Sequence, residues 1–230
     1  MRKIFITSTG TDIGKTYLTS ILIKKLKLEK KNVKVIKPII TGFNKNNFLL
    51  SDSSILLKSM LNKVTLDEIK KISPYIYSTP SSPYHASKIE NKTIDYKELV
   101  SWCNKKIKLN QKQRGYFFIE GVGGVMVPIV KNKTVIDLIS SLLCPVILVV
   151  GSYLGSLSHT LSAVSTLKNA GIKIINIIVN ESNESSININ DTVSILSDFI
   201  PDMKIRICLR NSLFNDKEFN GIIEDINSFY

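Results

Sequence analysis

The feature that most constrains this chain is the alternation of short, solidly apolar runs with segments of helical period. Lys3–Thr7, Val33–Ile39, Tyr116–Ile119, Pro145–Val150 and Ile172–Val179 are strand-length runs rich in Ile, Val and Phe. Between the first two, Thr16–Leu28 spaces Leu18, Ile21, Leu22 and Leu26 along one helical face, with Lys24, Lys25 and Lys27 outside. Asp52–Leu61, Asp95–Leu109, Val135–Leu143 and Leu157–Ala170 also read as helices, the last closed by Gly171. A helix at Ile189–Phe199, a strand at Lys204–Leu209 and a helix at Lys217–Phe229 complete the pattern. Strands apolar on both faces, separated by helices, predict a parallel sheet covered on both sides. With 230 residues, no internal repeat and no linker, a single domain over 1–230 is expected. The polar stretch Ser182–Asn190 reads as a solvated loop.

Composition narrows the partners. Hydrophobic residues make up 43% and charged residues 22%, which excludes disorder as the main state. No apolar run approaches the ~18 residues of a membrane span. Cys103, Cys144 and Cys208 are too scattered for a disulfide framework or a cysteine zinc site, and His85 and His159 are too few for a histidine-rich metal site. Met1-Arg2-Lys3 runs directly into the first strand and leaves no room for a signal peptide, so a cytoplasmic location is expected. The net charge of +12 is concentrated in residues 24–37, seven lysines against Glu29. No interleaved aromatics or nucleic-acid motif accompany them, so the run reads as a solvated helix face and neither nucleic acid nor membrane is an expected partner.

The residues just past the strands gather at one edge of the sheet, where ligands of open α/β proteins bind. After the first strand comes Ser8-Thr9-Gly10-Thr11-Asp12-Ile13-Gly14-Lys15-Thr16, leading into a helix. The backbone N–H groups of such a turn, with the positive helix end, cradle phosphates. There Lys15 would reach the terminal phosphates and the Thr16 hydroxyl would bind Mg²⁺. The strict G-x-x-x-x-G-K-[ST] spacing is not met, since position 9 is Thr. The second strand ends at Lys37-Pro38, where Pro38 holds Lys37 extended, followed by Thr41-Gly42 and Asp52. Alone these are a solvated lysine and a helix N-terminal acid. The strand at Tyr116–Ile119 leads to Glu120-Gly121-Val122-Gly123-Gly124. A carboxylate at the end of a buried strand calls for a partner or a metal. The later strands end at Gly151 and Asn180. Together these features predict a P-loop NTPase-like sheet.

In this order and at this spacing, the motifs resemble the dethiobiotin synthetases, ATP-dependent enzymes of biotin synthesis. The resemblance runs from Arg2 to Val179-Asn180 through Lys37-Pro38-Ile39-Ile40-Thr41-Gly42, Ser51-Asp52, Ser82-Pro83-Tyr84, Glu120-Gly121-Val122-Gly123-Gly124, Pro145–Val149 and Leu154-Gly155-Ser156-Leu157-Ser158-His159. It implies that 7,8-diaminopelargonate, CO₂ and ATP give dethiobiotin, ADP and phosphate, through a carbamate and a carbamic–phosphoric anhydride. Lys15 and Lys37 would be catalytic, and Thr16, Asp52 and Glu120 would hold Mg²⁺. Thr11, Asp12, Ile13, Gly14, Lys15, Thr16 and Asn180 would bind ATP, with Asn180 at the base. Thr11, Lys37, Thr41, Gly123 and Gly124 would contact the substrate. Gly155, Ser156 and Leu157 of a second subunit would hold its carboxylate, which implies a homodimer. The chain departs from the family at Ser8, where the family has its first glycine, at Gly10, where it has an acid, at Tyr84, where it has histidine, and at Ser158, where it has asparagine. No role is carried to His85, and the last ~50 residues carry little of the resemblance.

Three other readings compete. A partition-type P-loop ATPase binding DNA or a protein partner would suit the charge. That family has a second lysine early in the loop, and Ser8 to Ile13 contain none. A cobyrinate-type amidating synthetase would carry a glutamine-hydrolysing domain, for which the chain has no room. The departures also suit a catalytically idle homologue used as a binding module.

Overall fold

The computed structural model describes residues 1–61, 63–183, 185, 187–210 and 217–230. The chain runs through β1 (Arg2–Ser8), α1 (Lys15–Leu28), β2 (Val33–Ile36), β3 (Ile39–Ile40), α2 (Asp52–Lys58), α3 (Leu66–Ile72), β4 (Tyr75–Ile76), α4 (Pro83–Ile89), α5 (Tyr96–Asn110) and β5 (Tyr116–Glu120). It continues through β6 (Pro128–Val130), β7 (Lys133–Thr134), α6 (Val135–Leu142), β8 (Val146–Gly151), α7 (Ser156–Asn169), β9 (Ile174–Asn180), α8 (Ile189–Phe199), β10 (Ile205–Cys208) and α9 (Lys217–Phe229).

Six strands form one sheet in the order β10-β9-β8-β1-β5-β2, and every pairing in it is parallel. The α/β class expected from the alternation is the fold observed. Alternate residues serve opposite cores, as strand pleating requires. Ile4, Ile6, Phe118, Ile147, Val149 and Ile178 pack with α1 and α9 on one face. Phe5, Phe117, Ile119, Leu148, Val150 and Ile177 pack with α5, α6, α7 and α8 on the other. Buried on both sides, the strands have no polar face, which is why their sequences are continuous apolar runs.

From β1 the chain first builds one flank of the sheet, β5 and β2, and later the other, β8, β9 and β10. The β1–α1 loop therefore opens at the point where strand order reverses, the position that favours ligand binding.

The second strand differs from the expected Val33–Ile39. It leaves the sheet after Ile36, and Ile39–Ile40 pair instead with Tyr75–Ile76 in a separate two-stranded ribbon. Pro38 has no N–H to donate, and the Lys37 amide donates to Ile72 O, so the ladder cannot continue through them. Lys37 is thereby turned off the sheet edge and into the protein. The expected loop 182–190 includes residues 184 and 186, outside the described set. Of the rest, Ser182 and Ser185 bond to Ser152, and Ile189 already begins α8.

An ionic cluster around a buried carboxylate ties α9 to the sheet. Asp225 is 6% exposed and accepts from Asn176 Nδ2 at 2.7 Å, Lys204 Nζ at 2.8 Å and Arg206 Nε at 2.9 Å. Burial alone would raise its carboxyl, but these donors hold it below the usual aspartate range. Its stabilisation is complete above the unfolded value and is lost as the pH falls through the folded one. Asp225→Ala is expected to cost on the order of 2–3 kcal/mol, read as the midpoint of chemical denaturation at neutral pH. An unchanged midpoint would show that α9 is held by its apolar face alone. Cys103 and Cys144 are buried, and burial pushes their thiols up to about 12 and about 11, which suits packing and not reactivity. Among the described residues no helix is long and apolar enough to cross a membrane.

Candidate active site

The β1–α1 loop turns on Gly14, whose φ of +101° is costly for a side chain. Gly14 also lies against Asn180 at the end of β9: a Cβ built there would stand 2.3 Å from Asn180 Nδ2. That same amide donates to Ile13 O at 2.9 Å, so Asn180 fastens the loop to the sheet. No side chain caps α1, whose positive end faces the cavity through Lys15 and Thr16.

The second glycine turn, after β5, packs directly on this loop. A Cβ at Gly124 would lie 2.9 Å from Thr9 O, and Gly123 lies against Thr11 Oγ1. The close approach that Gly124 permits is thus to the loop backbone, whereas the sequence suggested an approach to substrate. Gly123, with φ of +57°, does reach the cavity wall.

Between the two turns lies a cavity of about 730 Å³. Thr11, Asp12, Gly14, Lys15, Thr16, Lys37, Thr41, Asp52 and Gly123 all line it, although the sequence separates them by up to 112 positions (123 − 11). Tyr17, Ile40, Gly42, Leu50, Ser51, Pro80, Ser81, Ser82, Val122 and Val127 complete the wall, and none of these is among the expected site residues. Ser82 had a readable signal: a serine before Pro83 marks a helix start, and Ser82 caps α4. Gly155, Ser156 and Leu157 are not part of the wall. They begin α7, where Gly155 has φ of +92° and no side chain caps the helix.

Electrostatically the centre is Lys37. Its side chain is almost fully buried, and Nζ lies 2.7 Å from Glu120 Oε1, 2.9 Å from Asp52 Oδ2 and 3.3 Å from Gly121 O. Burial alone would lower its pKa, but Glu120 and Asp52 outweigh burial and hold the ammonium above the ordinary lysine range. Burial would likewise raise Asp52, and Lys37 instead holds it below the usual carboxylate range. Thr16 Oγ1 donates to Glu120 Oε1 at 2.7 Å. Lys15 is 6% exposed, and burial, reinforced by the like charge of Lys37, lowers it to about 8. Its Nζ donates to Ser8 Oγ at 2.9 Å and Gly10 O at 3.0 Å.

Thr16, Asp52 and Glu120 fit a divalent cation. All three offer oxygen, as Mg²⁺ prefers. Glu120 is wholly buried, and its Oε2 has no partner among the described residues. A buried carboxylate oxygen without a donor is costly unless something positive reaches it. The arrangement can therefore hold a phosphate chain on the loop and a cation on Thr16 and the carboxylates. Two lysines, Lys15 and Lys37, line the same cavity.

Fold and site together define a nucleotide-binding protein of the P-loop class. A family model described as an AAA domain matches residues 2–206. The chain is 32% identical over 200 residues to the ATP-dependent dethiobiotin synthetase BioD of Caulobacter sp. (strain K31), covering 87% of this chain and 84% of that protein. It is 36% identical over 181 residues to the enzyme of the same name from Acidiphilium cryptum, covering 78% and 80%. Among solved structures, the MinC:MinD cell division complex of Aquifex aeolicus aligns with a TM-score of 0.57 at 17% identity, over 100% of this chain and 96% of that one, a likeness of fold. The chain belongs to the dethiobiotin synthetase family.

Proposed function

We propose that the protein closes the ureido ring of dethiobiotin from 7,8-diaminopelargonate and CO₂ at the expense of ATP. The observation that carries this reading is the meeting of Lys15, Thr16, Lys37 and Asp52 on one cavity with Glu120 directly behind them. No side-chain nucleophile is needed, because the substrate's own groups supply the attack. One amine adds CO₂ to form a carbamate. A carbamate oxygen attacks the γ-phosphorus and ADP leaves. The second amine then attacks the carbonyl carbon of the carbamic–phosphoric anhydride, and phosphate leaves with the carbamate oxygen.

The chain's work is orientation and charge neutralisation. Thr11, Asp12, Ile13, Gly14, Lys15 and Thr16 hold the phosphates of ATP, and Asn180, at the loop's rear, serves the base. Lys15 and Lys37 stabilise negative charge on the carbamate and the transferring phosphoryl group. Thr11 and Thr41 donate to the carbamate, Gly123 faces it from the cavity wall, and Gly124 seats the second turn against the phosphate loop. Thr16, Asp52 and Glu120 hold Mg²⁺. When bound, that ion supplies charge neutralisation on the phosphates. The substrate carboxylate lies on the uncapped α7 start of a second copy, at Gly155, Ser156 and Leu157, which makes the working unit a homodimer. Exposed Leu154 beside that helix start supports a partner there. The single six-stranded sheet, covered by helices on both faces, supports one catalytic domain.

Oxygen labelling tests the route. With ¹⁸O-enriched CO₂ and bicarbonate in a rapid-quench reaction, one labelled oxygen is expected in the released phosphate. Unlabelled phosphate alongside labelled ureido product would eliminate the anhydride.

A further inference from the structure

Ser8 stands at the end of β1, paired in register with Val149 of β8, so the sheet holds its Cα rigidly. Its side chain is completely buried. Its Oγ lies 2.5 Å from Gly10 O, 3.1 Å from Gly123 O, 3.3 Å from Gly10 N and 2.9 Å from Lys15 Nζ. A hydroxyl has one proton and two lone pairs. The proton is committed to a carbonyl, Gly10 O being the nearer, and the lone pairs accept from the Lys15 ammonium and the Gly10 N–H. The Ser8 carbonyl also accepts from Val125 N at 3.1 Å, which ties the second glycine turn to the same residue.

We propose that Ser8 is the positioning residue of Lys15, its hydroxyl fixing the ammonium between the two glycine turns so that one N–H direction is left for the phosphate chain. Lys15 has three donors. Ser8 Oγ and Gly10 O take two, and since Lys15 also lines the cavity, the third is the one left for a phosphate there. Glycine or alanine at position 8 leaves one main-chain acceptor, and the long side chain regains rotamers that miss the phosphate. A group held on a rigid element is aimed better than one held by its loop alone. The inference rests on the reading of Lys15 as the phosphate-facing cation.

A double-mutant cycle tests it, with equilibrium binding of a non-hydrolysable imidotriphosphate analogue of ATP, by calorimetry with Mg²⁺, as the readout. Ser8→Ala is expected to weaken binding about five- to tenfold in the native background and less than about twofold in Lys15→Met, since contacting pairs couple. Ser8→Gly, the residue the family carries at this position, is expected to give the same pattern and serves if Ser8→Ala fails to fold. An equal loss in both backgrounds would overturn the proposal by showing that Ser8 acts on the loop and not on Lys15. No loss in the native background would overturn it as well. If Lys15→Met itself binds the analogue normally, the phosphate-facing role of Lys15 fails first, which separates that failure from a failure of Ser8.

Discussion

Lys37→Ala is expected to reduce kcat on the order of 10²–10³-fold, a loss of roughly 2–4 kcal/mol of transition-state stabilisation. The effect is large because Lys37 is a preorganised cation. It is 2% exposed, and two carboxylates hold its ammonium within 2.9 Å. Little reorganisation is needed when charge develops nearby. The substitution also leaves the wholly buried Glu120 carboxylate with Thr16 as its remaining side-chain donor. Removing one partner of a buried ion pair typically costs about 3–5 kcal/mol. The melting temperature of Lys37→Ala should therefore fall in metal-free buffer and recover in part when Mg²⁺ is added. Turnover and calorimetric melting, with and without Mg²⁺, check both statements. Near-normal turnover would remove Lys37 from the chemistry.

Glu120→Gln is expected to raise the Mg²⁺ concentration giving half-maximal activity by on the order of a hundredfold, with kcat also reduced. Glu120 is the residue on which the others converge, since Oε1 receives both Lys37 Nζ and Thr16 Oγ1 at 2.7 Å. The amide keeps the volume but loses the charge. It can present one oxygen to either Lys37 or a cation, and its nitrogen then faces another donor. The Asp52 carboxylate is half-exposed, so Asp52→Asn should give a smaller shift in the same direction. A metal titration of Glu120→Gln that overlays the native one would exclude Glu120 as a ligand.

Much of the site could be read before the fold because its residues sit at strand ends. Glu120 ends β5 and Asn180 ends β9, while Lys15 and Thr16 open α1 after the β1 loop. Long apolar runs announce such strands, and parallel pairing carries their ends to one edge. The segment from Ile39 to Asp95 was far less legible. There β3 and β4 have two residues each and pair across more than thirty positions, and α3 and α4 have seven. Two residues carry no periodicity, and seven carry barely two turns. That is why Ile40, Pro80 and Ser81 went unnoticed on the cavity wall. The direction of Lys15 was hidden for a different reason. A lysine after Gly14 predicts a cation beside phosphate, but its hold on Ser8 depends on one hydroxyl reaching across a folded loop. The departure at position 8 was visible in the sequence; the serine's task there was visible only in three dimensions. Asn180 was assigned from a resemblance, and its bond to Ile13 O gives it a structural task besides.

The most direct test is a stoichiometric one. Purified protein is incubated with ATP, Mg²⁺, bicarbonate and 7,8-diaminopelargonate, with ADP and ureido product quantified together by mass spectrometry. The account predicts one cyclic urea for each ATP consumed, and negligible ATP turnover without the diamine. Steady ATP hydrolysis indifferent to the diamine, with no ureido product, would contradict it.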